Sequence, residues 1–393
     1  MLNHPTVPRR EFLAGVATAM TAIATRSIGA ARQGSPNVRQ APPNVMYVGS
    51  FTGEGRGHGD GLSVFRRDHE SAPWTRIQLL DKIADPSFVI VDRDARHLYS
   101  AHGGGTQATA YRIDEATGRL SVINQQSTGG ENGVHLAIDA TGKFLALANY
   151  GTGSLALFPI TADGSLGERC DLAMMTGEPG PHRTQQTSSH PHHCPFDRAG
   201  RYIVVPDKGL DKVFVYRIDA ERRRLVPAST PSIASRAGAA PRHADFHPTR
   251  PHAYVINELD STITAYQLHP DTGELKPFQI MPTLPTSYTG NNSSAEVVTA
   301  PSGRFLYGSN RGHDSIAIFS IDQATGELTA AGWESTQGRT PRYFGLDPTG
   351  RALYAANQNS DNVVIFNVNE STGKLTPTRE IVKVASPSTI AFR

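Results

Sequence analysis

Six side chains suited to proton transfer and anion binding occupy matched positions in this sequence, and they are His192, Lys208, Arg242, Glu258, Arg311 and Arg342. A histidine and a glutamate can exchange protons with a substrate. A guanidinium presents paired donors that hold a carboxylate or a phosphate, and a lysine adds a point charge. The set therefore suits an anionic or lactone-like small molecule as its ligand.

The positions of these residues follow from an internal repeat of about 50 residues. Six units align without gaps on the anchors Asp92, Asp139, Asp197, His247, Ala300 and Asp347. Five residues before the anchors stand Ser87, Val134, His192, Arg242, Ala295 and Arg342. Eleven residues after them stand Gly103, Tyr150, Lys208, Glu258, Arg311 and Gln358. The two strands that flank an anchor turn form a hairpin, so both positions are predicted to lie on one rim.

These polar residues could also form ion pairs, bind a metal or cap turns. Arg242, Glu258 and their neighbours could form structural ion pairs between units. The histidine-rich segment HRTQQTSSHPHHC does not predict a metal site, because His192 and His193 would face opposite ways on a strand. The polar residues ten positions after the anchors, such as Asn149 and Asn357, recur in nearly every unit, which favours turn-capping hydrogen bonds over ligand binding.

Each unit contains four short hydrophobic runs, as in RYIVVPD and DKVFVYRI, separated by polar turns that often carry TG or DG. Their alternation and β-branched content predict strands, and four antiparallel strands per repeat are typical of a propeller blade. The final segment, SPSTIAFR, resembles a first strand, and NVMYVGS near the start supplies the second. We therefore predict an all-β, seven-bladed β-propeller over residues 44–393, in which N- and C-terminal strands share one blade and leave no open edge.

The first 43 residues do not fit the repeat. Arg9 and Arg10 in PRREFLAG, followed by GVATAMTAIAT, predict a twin-arginine signal peptide over residues 1–31, and residues 32–43 are predicted to be a disordered lead. The alternative is the basic amphipathic start of a cytosolic protein. Arg26 interrupts an apolar run that is short for a bilayer, so no stable membrane anchor is predicted. We expect a periplasmic or secreted monomer.

The charge of the chain gives no reason to expect a polyanionic partner. The formal net charge is +2, and the predicted signal peptide supplies it through three arginines and Glu11. The rest of the chain is neutral, so neither nucleic acid nor an anionic membrane is predicted as a partner. Cys170 and Cys194 are the two cysteines. In an exported protein they could form a disulfide or remain free, and the sequence leaves both open.

Three segments carry a resemblance to a known family: HPHHCPFDRAGRYIVVPDKGLDKVFVY, APRHADFHPTRPHAYVINELDSTITAY and GSNRGHDSIAIF. They resemble the lactonase family of seven-bladed propellers, which includes propeller-type 6-phosphogluconolactonases and a fungal carboxymuconate cyclase. The resemblance implies catalytic roles for four residues: His192 in HPH, Arg242 in PRH, Glu258 in NEL and Arg311 in NRG. The chain departs from the family at His193 and Cys194, where small residues are usual, and in its export signal. Neighbouring rim and motif positions are assigned to substrate binding, namely Lys208, His243, Arg342, Gln358 and Tyr150.

The resemblance and these residues together predict a lactonase that hydrolyses a sugar-acid lactone, as 6-phosphogluconolactonases do, at the channel mouth and without a metal or other cofactor. Arg242 and Arg311 would bind the acid group or polarise the carbonyl. Either His192 or Glu258 would activate water, and the other would return the proton. Two alternatives are an isomerase of carboxymuconate type, which consumes no water, and a non-catalytic exported binding propeller, which would expose a large apolar patch.

Overall fold

The computed structural model describes residues 43–393, so the predicted signal peptide and nearly all of the predicted lead lie outside the described residues. Within the described part the chain forms seven β-sheets, and its only helix is a single 3-10 turn at Gln358–Ser360. This confirms the predicted seven-bladed propeller. No helix in residues 43–393 has the length and hydropathy required to cross a bilayer.

The strands of each blade are antiparallel and follow one another in chain order, except in the blade that joins the chain ends. The strands are β1 (Val45–Ser50), β2 (Leu62–Arg66), β3 (Thr75–Leu80), β4 (Pro86–Val91), β5 (His97–His102), β6 (Gln107–Ile113), β7 (Leu120–Ser127), β8 (Gly133–Ile138), β9 (Phe144–Asn149), β10 (Ser154–Pro159), β11 (Asp171–Met174), β12 (Ile203–Asp207), β13 (Lys212–Asp219), β14 (Arg224–Ala234), β15 (Pro241–Phe246), β16 (His252–Asn257), β17 (Thr262–Leu268), β18 (Leu275–Pro282), β19 (Ser293–Thr299), β20 (Phe305–Arg311), β21 (Ser315–Ile321), β22 (Leu328–Ser335), β23 (Pro341–Leu346), β24 (Ala352–Asn357), β25 (Asn362–Val368), β26 (Leu375–Lys383) and β27 (Pro387–Phe392). The sheets contain β27 with β1 to β3, β4 to β7, β8 to β11, β12 to β14, β15 to β18, β19 to β22, and β23 to β26.

Residues on the inner strands of a blade are buried, and residues on its outermost strand are more exposed. Every residue of the second strand β9 is buried, whereas the outermost strand β7 is largely exposed. The apolar side chains of one blade pack against those of the next, as Ile256 and Tyr254 do against Leu306 and Phe319. Removal of apolar area from water is the main driving force of folding. Since most of that area is buried between neighbouring blades, these contacts form the core of the protein.

A repeated hydrogen bond joins neighbouring blades at four places. The hydroxyls of four buried tyrosines on second strands donate to glycine carbonyls of the following blade at 2.9 to 3.0 Å, and the pairs are Tyr47 with Gly118, Tyr99 with Gly164, Tyr254 with Gly326, and Tyr307 with Gly373. These glycines lie in the TG and DG turns and have positive φ angles of 72° to 84°, which favour glycine. The turns therefore separate strands and also hold the blades together.

The chain ends close the ring as predicted. The C-terminal strand β27 is the innermost strand of the blade that contains β1, and the two pair antiparallel from Met46 opposite Phe392 to Gly49 opposite Thr389. The Arg393 amide also donates to the Val45 carbonyl at 3.0 Å. As a result, the inner side of β1 is not left as a free edge.

One blade lacks a regular innermost strand. Residues 191–196 occupy that position and meet β12 only through the bridges Pro191 to Asp207 and Phe196 to Ile203. The His192 amide donates to the Pro206 carbonyl and the Val204 amide donates to the Pro195 carbonyl, each at 3.0 Å. Neither proline has an amide hydrogen to return the bond, which prevents a continuous ladder. This segment carries His192, His193 and Cys194. Cys194 is buried, and both cysteines of the chain are free thiols.

Candidate active site

A β-bulge near the start of each regular inner strand turns a side chain toward the channel. In β15, for example, the pairing with the second strand skips one residue between Pro241 and His243. The skipped residues occupy the predicted rim position five before the anchor, and they include Ser87, Val134, Arg242, Arg342 and Ser388. A bulge changes the direction of a side chain and is common beside active sites. The bulges therefore explain why this position converges on one cavity.

The rim encloses a cavity of about 350 Å³ at the mouth of the channel. All nine predicted site residues line it: His192, Glu258, Arg242, Arg311, Lys208, His243, Arg342, Gln358 and Tyr150. The nine side chains therefore lie together at the mouth of the channel, and their roles in a reaction are predictions.

Other residues of the cavity escaped the sequence analysis, for two reasons. Phe51 and Ser388 occupy the two rim positions of the blade that the chain ends share, so extending the repeat to that blade would have identified them. Arg56, Asn132 and Gln185 lie in loops between strands. No repeat spacing applies to these loops, and only their folded conformation brings the three side chains to the cavity.

The Glu258 carboxylate lies among three cations. Lys208 Nζ donates a hydrogen bond to Oε1 at 2.9 Å, and Arg311 Nη2 is 3.2 Å from the same oxygen. Arg242 Nε is 3.1 Å from Oε2. Burial by itself raises the pKa of Glu258, but the three positive charges outweigh burial and hold the pKa well below its usual range. Glu258 is therefore ionised at neutral pH and is a weak base.

Backbone carbonyls of β19 orient the two arginines. Arg242 Nη1 donates to the Ala295 carbonyl at 2.7 Å, and Arg311 donates to the carbonyls of Ser293 and Ser294 at 3.2 and 3.0 Å. The pairing of β19 with β20 skips two residues after Ser294, which leaves the Ala295 carbonyl free to accept. Both guanidiniums are thus fixed before any ligand binds, as electrostatic stabilisation of a reaction requires.

Arg342 carries a charge that no acidic side chain of residues 43–393 neutralises through a salt bridge. Its guanidinium lies over the ring of Phe51, 4.8 Å from the centroid. Burial and the like charges of Arg242 and Arg311 lower the pKa of Arg342 well below its usual range. An anion in the cavity would offset this repulsion, so the site favours an anionic ligand.

A second layer of side chains, one residue further along the inner strands, forms the floor of the cavity. The rings of His135, His193 and His243 follow one another with centroids 3.7 and 4.1 Å apart, and Phe88 lies 4.3 Å from His135. Burial lowers the pKa of each of these histidines well below its usual value. The three imidazoles are therefore neutral at pH 7.

His192 connects the cavity to this floor. Its Nδ1 is 3.1 Å from Nε2 of His243, and Tyr150 lies edge-on to its ring at a centroid distance of 5.5 Å. Burial and then the charge of Arg242 lower the pKa of His192 well below its usual value, so the imidazole is neutral at pH 7. Because Nδ1 is engaged by His243, Nε2 is the nitrogen that a ligand can reach.

His192 lines the cavity and His193 does not, yet both rings approach His243, at centroid distances of 5.1 and 4.1 Å. His193, His243 and Glu296 also bring potential ligand atoms within 4.8 Å of one another. The His193 and His243 rings, however, are stacked at an interplanar angle of 16°. Since an imidazole lone pair lies in the ring plane, two rings stacked face to face 4.1 Å apart do not direct theirs at one ion.

The model of the lactonase family with a seven-bladed β-propeller matches residues 45–392 of this chain. The chain belongs to that lactonase family. It is 35% identical over 306 residues to a 6-phosphogluconolactonase of Bacillus subtilis, covering 77% of this chain and 85% of the relative. It is also 34% identical over 309 residues to a 6-phosphogluconolactonase of Formosa agariphila, covering 77% and 86% of the two chains.

A solved structure agrees with this assignment. The periplasmic gluconolactonase of Pseudomonas aeruginosa superimposes with a TM-score of 0.82 at 30% identity, covering 89% of this chain and 98% of that protein. In this lactonase-family chain, the HPH, PRH, NEL and NRG elements place His192, Arg242, Glu258 and Arg311 around one cavity. The arrangement can hold an anion, stabilise an oxyanion and exchange a proton at His192 Nε2.

Proposed function

We propose that this protein hydrolyses the lactone of a sugar acid that carries an anionic group, of the 6-phosphogluconolactone type, in the cavity at the channel mouth. The charge of the cavity is the observation that carries the proposal. Five cations line it, Arg56, Lys208, Arg242, Arg311 and Arg342, and Glu258 is the one carboxylate among the described residues that do. The names of the relatives support the same substrate class.

The reaction needs no metal in this proposal. Arg342 and Arg56 hold the anionic group. Water adds to the carbonyl carbon while its proton passes to His192 Nε2, and the oxyanion is stabilised by Arg242 and Arg311. The bond from the carbonyl carbon to the ring oxygen then breaks, and His192 returns the proton to that oxygen. One water is consumed, and the product is a hydroxy acid that ionises in solution.

The low basicity of Glu258 favours His192 as the group that accepts the proton. Glu258 has its carboxylate engaged by Lys208, Arg242 and Arg311, which lowers its affinity for a proton. His192 is neutral and has a nitrogen available to the cavity. In this mechanism Glu258 holds the three cations in their array and does not itself transfer a proton.

A non-catalytic binding propeller receives less support from the surface. The large hydrophobic side chains that are exposed among residues 43–393 are Val122, Met174, Phe278, Ile280 and Ile381. They lie on the outer strands β7, β11, β18 and β26, which belong to four different blades. Scattered exposed hydrophobic residues of this kind do not form the extended patch that marks a protein-binding surface.

Purified mature protein tests the proposal directly. Acid release from 6-phosphogluconolactone and from the unphosphorylated δ-gluconolactone is followed at constant pH, with the uncatalysed hydrolysis subtracted. We expect catalysed release, with a higher kcat/KM for the phosphorylated lactone. Reaction in ¹⁸O-labelled water should place one label in the product carboxylate. Turnover without label would support the isomerase, and no turnover of any sugar or aliphatic lactone would reject the proposal.

The Arg342 guanidinium gives a test of anion binding. Arg342→Lys keeps the charge but loses the paired donors that hold a phosphate or carboxylate. We expect the KM for the phosphorylated lactone to rise about tenfold, equivalent to about 1.4 kcal/mol, with a much smaller change for the unphosphorylated lactone. Arg351→Lys, a change at a partly exposed residue of another cavity, is the matched control. Equal effects on both lactones would show that Arg342 does not bind the anionic group.

We also propose that the protein is exported to the periplasm. The twin arginines Arg9 and Arg10 support this proposal, as does the description of the Pseudomonas relative as periplasmic. Changing both arginines to lysine should retain the precursor in the cytoplasm, as measured by fractionation and immunoblotting. Normal export of that variant would mean that the leader is not a twin-arginine signal.

A further inference from the structure

A continuous line of hydrogen bonds runs from the cavity into the channel floor. His192 Nδ1 lies 3.1 Å from His243 Nε2, and His243 Nδ1 lies 2.8 Å from Glu296 Oε1. All three side chains are buried. Glu296 comes from the segment of β19 that the pairing with β20 skips, so the bulge directs its carboxyl group into the channel.

A neutral imidazole has one donor nitrogen and one acceptor nitrogen, so the line can take only two consistent directions. When Glu296 is ionised, it accepts from His243 Nδ1, and His243 Nε2 accepts from His192 Nδ1. The lone pair of His192 is then on Nε2. A proton on Glu296 Oε2 would have no acceptor among the described residues, so protonation is favoured at Oε1, the oxygen that faces His243. Protonated Oε1 then donates to His243 Nδ1, and both imidazoles reverse. Nε2 of His192 then carries a hydrogen and cannot accept a proton.

We propose that His243 and Glu296 are positioning residues that, through this line of hydrogen bonds, determine whether His192 presents a lone pair or a hydrogen to the cavity. The kinetic consequence of the proposal rests on the proposed lactone hydrolysis, but the link between Glu296 and His192 does not. With Glu296 ionised, its charge also stabilises the imidazolium that forms at His192 when water gives up its proton.

The surroundings of Glu296 bring its pKa close to physiological pH, so the direction of the hydrogen bonds can change in that range. Burial raises the pKa of Glu296 to about 8, the positive charge of Arg242 opposes the rise, and Asp245 adds to it. The other titratable groups that face the carboxyl are His243, His193, which has a ring nitrogen within 4.8 Å of it, and, from β23, Tyr343. As pH rises through about 8, Glu296 loses its proton and Nε2 of His192 becomes an acceptor, so activity should rise with pH.

The hydrogen bonding of Glu296 makes glutamine an informative replacement. Oε1 accepts from the Val297 amide at 3.0 Å as well as facing His243, and Oε2 has no hydrogen-bond partner among the described residues. In Glu296→Gln the amide oxygen is expected to stay at the Oε1 position, because the Val297 amide requires an acceptor there. The variant therefore fixes the direction that leaves a lone pair on His192 Nε2, at every pH.

The first test follows the His192 ring nitrogens by ¹⁵N NMR in the ligand-free protein, with the signals assigned by His192→Gln. In the parent we expect Nε2 to change from protonated to unprotonated as pH rises through about 8. In Glu296→Gln, Nε2 should stay unprotonated over the whole range. Glu334→Gln is the matched control, since burial also raises the pKa of Glu334, but Glu334 lies on the outer strand β22. A His192 signal that does not change in the parent overturns the proposal, even if Glu296→Gln fails to fold.

The second test is kinetic and separates this proposal from the proposed function. In the parent, kcat should rise about tenfold from pH 7 to pH 9, as expected for one group with a pKa near 8. Glu296→Gln should lose that rise while keeping its KM. Retention of the rise in Glu296→Gln would overturn the proposal. If the NMR change occurs but no lactone is hydrolysed, the line of hydrogen bonds stands and the proposed function fails.

Discussion

Replacing Glu258 with glutamine should reduce kcat/KM for the best lactone at least about a hundredfold. The carboxylate is the shared partner of Lys208, Arg242 and Arg311, and a neutral amide cannot hold three cations in one array. Loss of a single preorganised donor to an oxyanion typically costs a hundredfold to a thousandfold in rate. Steady-state hydrolysis measured as acid release gives the effect.

Glu258→Gln should also destabilise the protein, and this loss of stability must be distinguished from the loss of rate. Removing one member of a buried ion pair leaves uncompensated charge, at a cost of about 3 kcal/mol. Circular dichroism and thermal melting define the temperatures at which the variant is folded, and the rates are compared there. Glu274→Gln, at an exposed turn residue, should change neither property. A folded Glu258→Gln protein with parental activity would show that the Glu258 carboxylate is not needed for the reaction and contributes only to the structure.

Deleting residues 386–393 should abolish stable folding. The deletion removes β27, which pairs with β1 and also contacts the inner strands β4 and β23 of the neighbouring blades. Without it, β1 exposes an unpaired edge, and one blade loses its packing on both sides. We expect insoluble protein or a purified product with no cooperative thermal transition, as measured by circular dichroism.

A circular permutant shows whether the strand itself or its position in the chain matters. The Arg393 amide lies 3.0 Å from the Val45 carbonyl, so a short linker can join Arg393 to Asn44. New ends in the exposed turn at Asp271 would keep all strands. We expect this permutant to melt cooperatively, in contrast to the deletion. A deletion variant that melts within a few degrees of the parent would contradict closure by β27.

Much of the candidate site could be predicted from spacing because each blade is built in the same way. A residue's distance from its anchor turn fixes its height along the channel, so His192, Arg242 and Arg342 were assigned to one rim before their neighbours were known. The same rule failed for Arg56 and Gln185. Both lie in loops, where the backbone has no repeating geometry and position depends on contacts with other parts of the chain.

The sequence alone determined the number of blades, the closure by the chain ends and the charged rim, because these follow from the order and spacing of residues along the chain. The tertiary structure decided which of those charges meet. It placed Glu258 among three cations and left Arg342 without an acidic partner in residues 43–393. It also brought Glu296 to His243, because the two residues that β19 skips in its pairing with β20 include Glu296, and this bulge turns the carboxyl inward. Protonation depends on burial and on neighbouring charges, and both exist only after distant blades have closed into the ring.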